Sequence, residues 1–125
     1  MATDRYKILI VDDEEEICDY MQEKLQKEFD VTTANTGEEG ISLFTQSKFD
    51  VYIFDLRLST SITGIDMIRK CIALYPEAKI IAMTGYVDNR LKQEAVDAGV
   101  SDYAEKPAQI QPDVIYGKVK ALLKS

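Results

Sequence analysis

The sequence predicts an α/β domain in which a parallel sheet is covered by helices on both faces. Three observations predict it. Five short apolar runs, rich in Ile, Val and Tyr, recur along the 125 residues. Each is followed by a segment whose apolar residues repeat at helical spacing. Strict alternation of this kind, five times over, is the pattern of parallel strands joined by crossover helices.

The runs are Tyr6–Val11, Val31–Ala34, Val51–Phe54, Lys79–Met83 and Asp102–Ala104. The first, third and fourth are apolar at successive positions, so both faces of those strands are buried. After the first run, Ile17, Met21, Leu25 and Phe29 make an apolar stripe on one helix face. The second helix, Glu38–Gln46, follows Thr36-Gly37 and carries Ile41, Leu43 and Phe44. The third carries Ile65, Ile68, Ile72 and Leu74 and stops before Pro76. In the fourth, Leu91, Ala95, Val96 and Ala98 precede Gly99, which is placed as a left-handed C-terminal cap. The fifth carries Val114, Ile115, Val119, Leu122 and Leu123, with Pro112 in its first turn. Gly117 within it costs about 1 kcal/mol relative to Ala. With no internal repeat, low-complexity tract or linker, residues 1–125 read as one domain.

Apolar residues make up 46% and charged residues 30%, the balance of a globular chain rather than a disordered one. A formal net charge of −7 argues against a broad nucleic-acid surface. No apolar run is long enough to cross a bilayer, and Met1–Lys7 has no apolar stretch behind it, so a cytoplasmic location without membrane contact is expected. The absence of histidine excludes histidine metal sites, Ser-His-Asp and Cys-His catalysis, and phosphohistidine carriage by this chain. Cys18 and Cys71 lie in helical segments without metal-ligand spacing and read as reduced structural thiols.

Ligands of open α/β sheets bind at the carboxyl ends of the strands, where the strand order reverses. The polar residues that follow each strand are Asp12 and Asp13, then Asp55, then Thr84 and Gly85, then Lys106 and Pro107. Each has a plain alternative. Asp13 and Glu16 make a capping-box-like pair for the first helix; Asp55 could be a polar loop residue, Thr84 a turn or cap residue, Lys106 a solvated lysine. Together they mean more. Three carboxylates at adjoining strand ends repel unless a cation lies among them. Oxygen donors without nitrogen or sulfur suit Mg²⁺. A metal there would screen Asp55 from an incoming phosphoryl group and neutralise charge on its equatorial oxygens. Lys106 could pair with another of those oxygens, and the Thr84 hydroxyl could take the third.

At four landmarks the chain resembles the receiver domains of bacterial response regulators: Ile8-Leu9-Ile10-Val11-Asp12-Asp13, Asp50-Val51-Tyr52-Ile53-Phe54-Asp55, Met83-Thr84-Gly85 and Lys106-Pro107. The resemblance covers essentially the whole chain. It implies a flavodoxin-like (βα)5 doubly wound sheet of strand order 2-1-3-4-5. It implies that Asp12 and Asp13 hold Mg²⁺, Asp13 directly, with the backbone carbonyl of Arg57 as a further ligand. Asp55 would be the phosphoacceptor, Thr84 would follow the phosphoryl group, and Tyr103 would swing inward with it. The Lys106-Pro107 bond would be cis. Arg57 and Tyr86 would overhang the mouth of the site, at positions that tend to govern hydrolysis in receivers. The sequence departs from the family at Ser59, where proline is usual, and in the stretch Ser59-Thr60-Ser61-Ile62-Thr63, one residue longer than the common pattern.

By the same resemblance, the phosphoryl group comes from a sensor histidine kinase or phosphotransfer protein. It biases a surface around helix four, strand five and helix five that a downstream protein reads, and it could bring two copies together. Such a chain is a switch rather than an enzyme turning over an external substrate. Two other readings are weighed against it. A haloacid-dehalogenase-type phosphatase needs a second acid two residues after its nucleophile, where Arg57 stands. A pseudo-receiver, binding partners without phosphorylation, would not need the full set of groups. Whether the chain is a stand-alone protein or part of a longer regulator or hybrid kinase is left open.

Overall fold

A computed structural model describes residues 5–58, 62–85, 89–106 and 110–124. The elements follow in the order β1 (Lys7–Val11), α1 (Glu15–Leu25), β2 (Asp30–Ala34), α2 (Gly37–Gln46), β3 (Val51–Asp55), α3 (Gly64–Leu74), β4 (Ile80–Thr84), α4 (Asn89–Ala98), β5 (Asp102–Glu105) and α5 (Pro112–Leu123). All strand pairs are parallel and the sheet order is β2-β1-β3-β4-β5, the flavodoxin-like order.

The two-residue period of the strands divides the core in two. Leu9 and Val11 of β1, Tyr52 and Phe54 of β3, and Ile80 and Ala82 of β4 pack with Phe44 of α2 and Ile65, Met67, Ile68 and Cys71 of α3. Ile8 and Ile10, Val51 and Ile53, Ile81 and Met83, and Ala104 of β5 face the other way, onto Cys18, Met21 and Leu25 of α1 and Ile115 and Val119 of α5. β3 and β4 are buried at every position, so the continuous apolar runs are central strands. Each such side chain taken from water contributes about 1.5–3 kcal/mol.

Three helical residues expected in the apolar stripes are half-exposed instead: Leu74, Val96 and Val114. Val96 and Val114 lie one position off the buried Ala95 and Ile115, and Leu74 is the last residue of α3. Helix ends follow local chemistry. The Thr36 hydroxyl accepts from Glu39 N at 3.0 Å to cap α2. Thr63 and Asp66 form a reciprocal capping box on α3. Gly99 ends α4 at φ +111°, as its placement at a left-handed cap requires. Pro112 opens α5. Both cysteines are buried free thiols, which burial pushes up to about 12, so neither is a ready nucleophile. Among the described residues no helix is long and apolar enough to cross a membrane.

Candidate functional site

The sheet order reverses between β1 and β3, since the chain leaves β1 toward β2 and leaves β3 toward β4. The carboxyl ends of these two strands therefore open a crevice that no crossover helix covers. Asp12 follows β1 and Asp55 ends β3. The parity that sends Ile8, Ile10, Val51 and Ile53 to the α1/α5 side carries on to Asp12 and Asp55. Ala104 shares that side, and Lys106 stands two residues beyond it. Simple alternation thus aims two acids and one amine into the same space.

They meet there. Lys106 Nζ donates to Asp12 Oδ2 at 2.7 Å, to Asp55 Oδ2 at 3.2 Å and to Glu14 Oε1 at 3.2 Å. Asp12 is fully buried and Asp55 only 3% exposed. Asp12 Oδ1 accepts from Glu14 N at 2.9 Å, and Asp55 Oδ1 accepts from Arg57 N at 3.1 Å. Behind them, Asn35 Nδ2 and the Cys18 thiol both donate to the Asp12 carbonyl. With half-buried Asp13, the two acids form a group whose carboxylate oxygens lie within 4.8 Å of one another. α1 runs from Glu15, with Glu14 as its N-cap.

The electrostatics match the crowding. Burial, and then the charge of Asp12, push the Asp55 carboxyl up to about 7, against the opposing pull of Lys106. Burial alone would lower the Lys106 ammonium. The hydrogen bond to Asp12 and the charges of Asp55 and Asp12 outweigh it and hold the ammonium above its ordinary value. One cation shared by two buried acids leaves the site short of positive charge. The donor set is oxygen only, which fits a small hard cation such as Mg²⁺.

Thr84 is fully buried at the end of β4, and its carbonyl accepts from Lys106 N at 2.7 Å. Ile80 and Ala82 of the same strand pack in the core that holds Phe44 and Met67. Tyr103 of β5 is half-buried against the same core, with Lys92 Nζ of α4 4.9 Å from its ring centroid. Arg57, in the β3–α3 connection, lines an open groove of about 620 Å³ together with Arg69 of α3 and Arg90 of α4. Ser59, Tyr86 and Pro107, and with Pro107 the expected cis bond, lie outside the described residues.

Sequence reasoning missed two participants. Glu14 carries no sequence signal of its own, and its partner Lys106 is 92 positions away. Gly64 marks in the sequence only the end of the longer Ser59–Thr63 stretch, yet a Cβ there would clash with the Asp55 carbonyl oxygen and stand 2.5 Å from Leu56 Cα. Both neighbours are backbone and cannot turn aside. Gly64→Ala is therefore expected to displace the segment carrying Asp55 and to lower stability by about 3 kcal/mol. Urea unfolding checks this, and an unchanged midpoint would mean that the segment yields freely.

Comparison with known proteins gives a consistent result. A family model described as response regulator receiver domain matches residues 8–119. The transcriptional regulatory protein ZraR of Escherichia coli K12 is 31% identical over 108 residues, 86% of this chain and 24% of that protein. Response regulator ArlR of Staphylococcus aureus Mu50 is 31% identical over 119 residues, 94% of this chain and 52% of that one. The chain thus spans about half or less of the length of these curated relatives. A solved response regulator receiver domain protein from Methanospirillum hungatei JF-1 superposes with a TM-score of 0.91 at 30% identity, covering 97% of this chain and 95% of that one.

Proposed function

Because the chain belongs to the response regulator receiver domain family, we propose that Asp55 is the phosphoacceptor of a two-component phosphorelay and that the whole of residues 1–125 is one cytoplasmic receiver domain. The observation that carries this reading is the meeting of Asp12, Asp13, Asp55 and Lys106 at the switch point of the sheet. In the reaction an Asp55 carboxylate oxygen attacks the phosphorus of a partner's phosphohistidine. The nitrogen–phosphorus bond breaks, its electron pair returns to the imidazole, and an acyl phosphate forms on Asp55. Mg²⁺ would be held by Asp12, Asp13, Asp55 and the Arg57 carbonyl, and would screen the acceptor and neutralise the transferred oxygens. Lys106 exchanges its bond to Asp55 Oδ2 for one to a phosphoryl oxygen. The Thr84 hydroxyl takes another, and Tyr103 moves with it.

Donor and reader are both proteins: a sensor histidine kinase or phosphotransfer protein supplies the group. A downstream partner reads the α4, β5 and α5 face, where phosphorylation could also pair two copies. The chain works as a signalling module, and its chemistry acts on itself. Exposure to a small acyl-phosphate donor with Mg²⁺ should add one phosphoryl group that mass spectrometry maps to Asp55. No adduct, or an adduct on another residue, would overturn the reading.

The metal has its own test. A cation that binds the folded cluster and not the unfolded chain stabilises by mass action, about 2.7 kcal/mol at a hundred times its dissociation constant. Millimolar Mg²⁺ should therefore raise the melting temperature, and Asp13→Ala should remove most of the increment. Coincident wild-type melting curves with Mg²⁺ and with EDTA would count against a metal site.

A further inference from the structure

We propose that Glu14 is a positioning residue that tethers Lys106 in the resting state and thereby slows the arrival, and shortens the stay, of the phosphoryl group; this rests on the role given to Lys106 above. An ammonium has three N–H donors. Those of Lys106 meet three carboxylates, Asp12 at 2.7 Å, Glu14 at 3.2 Å and Asp55 at 3.2 Å. Its donor capacity is full, so a phosphoryl oxygen can be received only by exchange.

The three partners are not equivalent. Asp12 holds the shortest bond and is fully buried. Asp55 gives up its charge when it becomes an acyl phosphate. Glu14 keeps its charge throughout and lies outside the group of carboxylates suited to a metal. Its side chain is 64% exposed, so it competes for Lys106 from the solvent side of the site.

The backbone shows that Glu14 is placed for this. Its N–H is held by Asp12 Oδ1 at 2.9 Å, and its carbonyl accepts from Ile17 N and Cys18 N at 3.1 and 3.2 Å. It is the N-cap of α1, a position where a side chain usually accepts from the first turn of the helix, and it makes no such bond. The carboxylate turns to Lys106 instead. A helix cap forgone in favour of a contact across the sheet points to the contact as the function of the side chain.

The test is a graded series. Glu14→Gln keeps an acceptor without charge, and Glu14→Ala removes it. Phosphorylation by a small acyl-phosphate donor should quicken from wild type to Gln to Ala, by roughly two- to five-fold in all, the size an exposed ion pair supports. The phosphorylated form should persist longer in the same order. Mg²⁺ affinity by calorimetry should stay within about two-fold, again the scale of one exposed charge. In EDTA, a double-mutant cycle on stability should couple Glu14 to Lys106, a readout independent of phosphorylation. Labelling no faster than wild type, a lost Mg²⁺ affinity, or no coupling in EDTA would each overturn the tether. A wild type that takes up no phosphoryl group would overturn the Asp55 reading and the tether with it. Normal wild-type labelling with an unresponsive series overturns the tether alone.

Discussion

Asp55→Asn should take up no phosphoryl group and, in EDTA, should melt above the wild type. The first effect follows from chemistry, because a carboxamide cannot form the acyl phosphate. The second follows from crowding. Asp55 is buried, and burial together with Asp12 pushes its carboxyl up to about 7 from an unfolded value of 3.8. A folded-state value above the unfolded one contributes stability below about pH 4 that is lost as pH rises through about 7. At pH 8 the wild type therefore carries the full cost of the charge, and the neutral amide does not. Losing the bond to Lys106 offsets part of the gain, leaving on the order of 1–2 kcal/mol and several degrees of melting temperature. The gap between variant and wild type should narrow at pH 5. Mass spectrometry reads the first effect, and melting in EDTA at pH 5 and pH 8 reads the second. A variant that is still labelled would remove Asp55 as the acceptor. One that melts below the wild type at pH 8 would mean that the Lys106 bond outweighs the repulsion.

Much of this is legible in the sequence, for a physical reason. Central parallel strands are buried on both faces, so Ile8–Val11, Val51–Phe54 and Ile80–Met83 leave no polar position to confuse the reading. The first polar residue after each of these marks a strand end, which locates Asp12, Asp55 and Thr84. The edge strand β2 is harder to read, because its middle residues are only half-buried and Thr32 and Thr33 are tolerated there. Helix stripes were right in kind and loose in phase. α4 packs with a single fully buried residue, Ala95, so the sequence could not decide that Val96 faces out. What the sequence hid were contacts set by distant elements. Nothing near Glu14 indicates a lysine 92 positions away, and nothing near Gly64 indicates a carbonyl oxygen where a Cβ would stand. The aromatic packing of Tyr52 against Phe44, Phe49, Phe54 and Tyr75 arises in the same way, from side chains that α2, β3 and α3 bring together.

Lys106→Met should cost the metal-free protein about 3 kcal/mol, or roughly 10 °C of melting temperature. The Lys106 side chain is 8% exposed and its partners Asp12 and Asp55 are 0% and 5% exposed, so little solvent screens the group. Methionine fills a similar volume, which confines the loss to charge. Asp12 keeps its bond from Glu14 N and Asp55 its bond from Arg57 N, but two buried carboxylates are left with no cation between them. Breaking a buried ion pair from one side costs more than the pair was worth, because the orphaned charge stays buried. The loss should therefore be conditional. Adding Asp55→Asn to Lys106→Met should restore about half of it, since one of the two orphaned charges goes, giving a coupling well above the additive expectation. Millimolar Mg²⁺ should restore stability as well, by putting a cation among the acids that the ammonium no longer serves. Unfolding of the wild type, both single variants and the double variant, in EDTA and in Mg²⁺, measures all of these together. If Lys106→Met melts with the wild type in EDTA, the ammonium does not balance the acids, and the cluster must be held by its backbone donors alone.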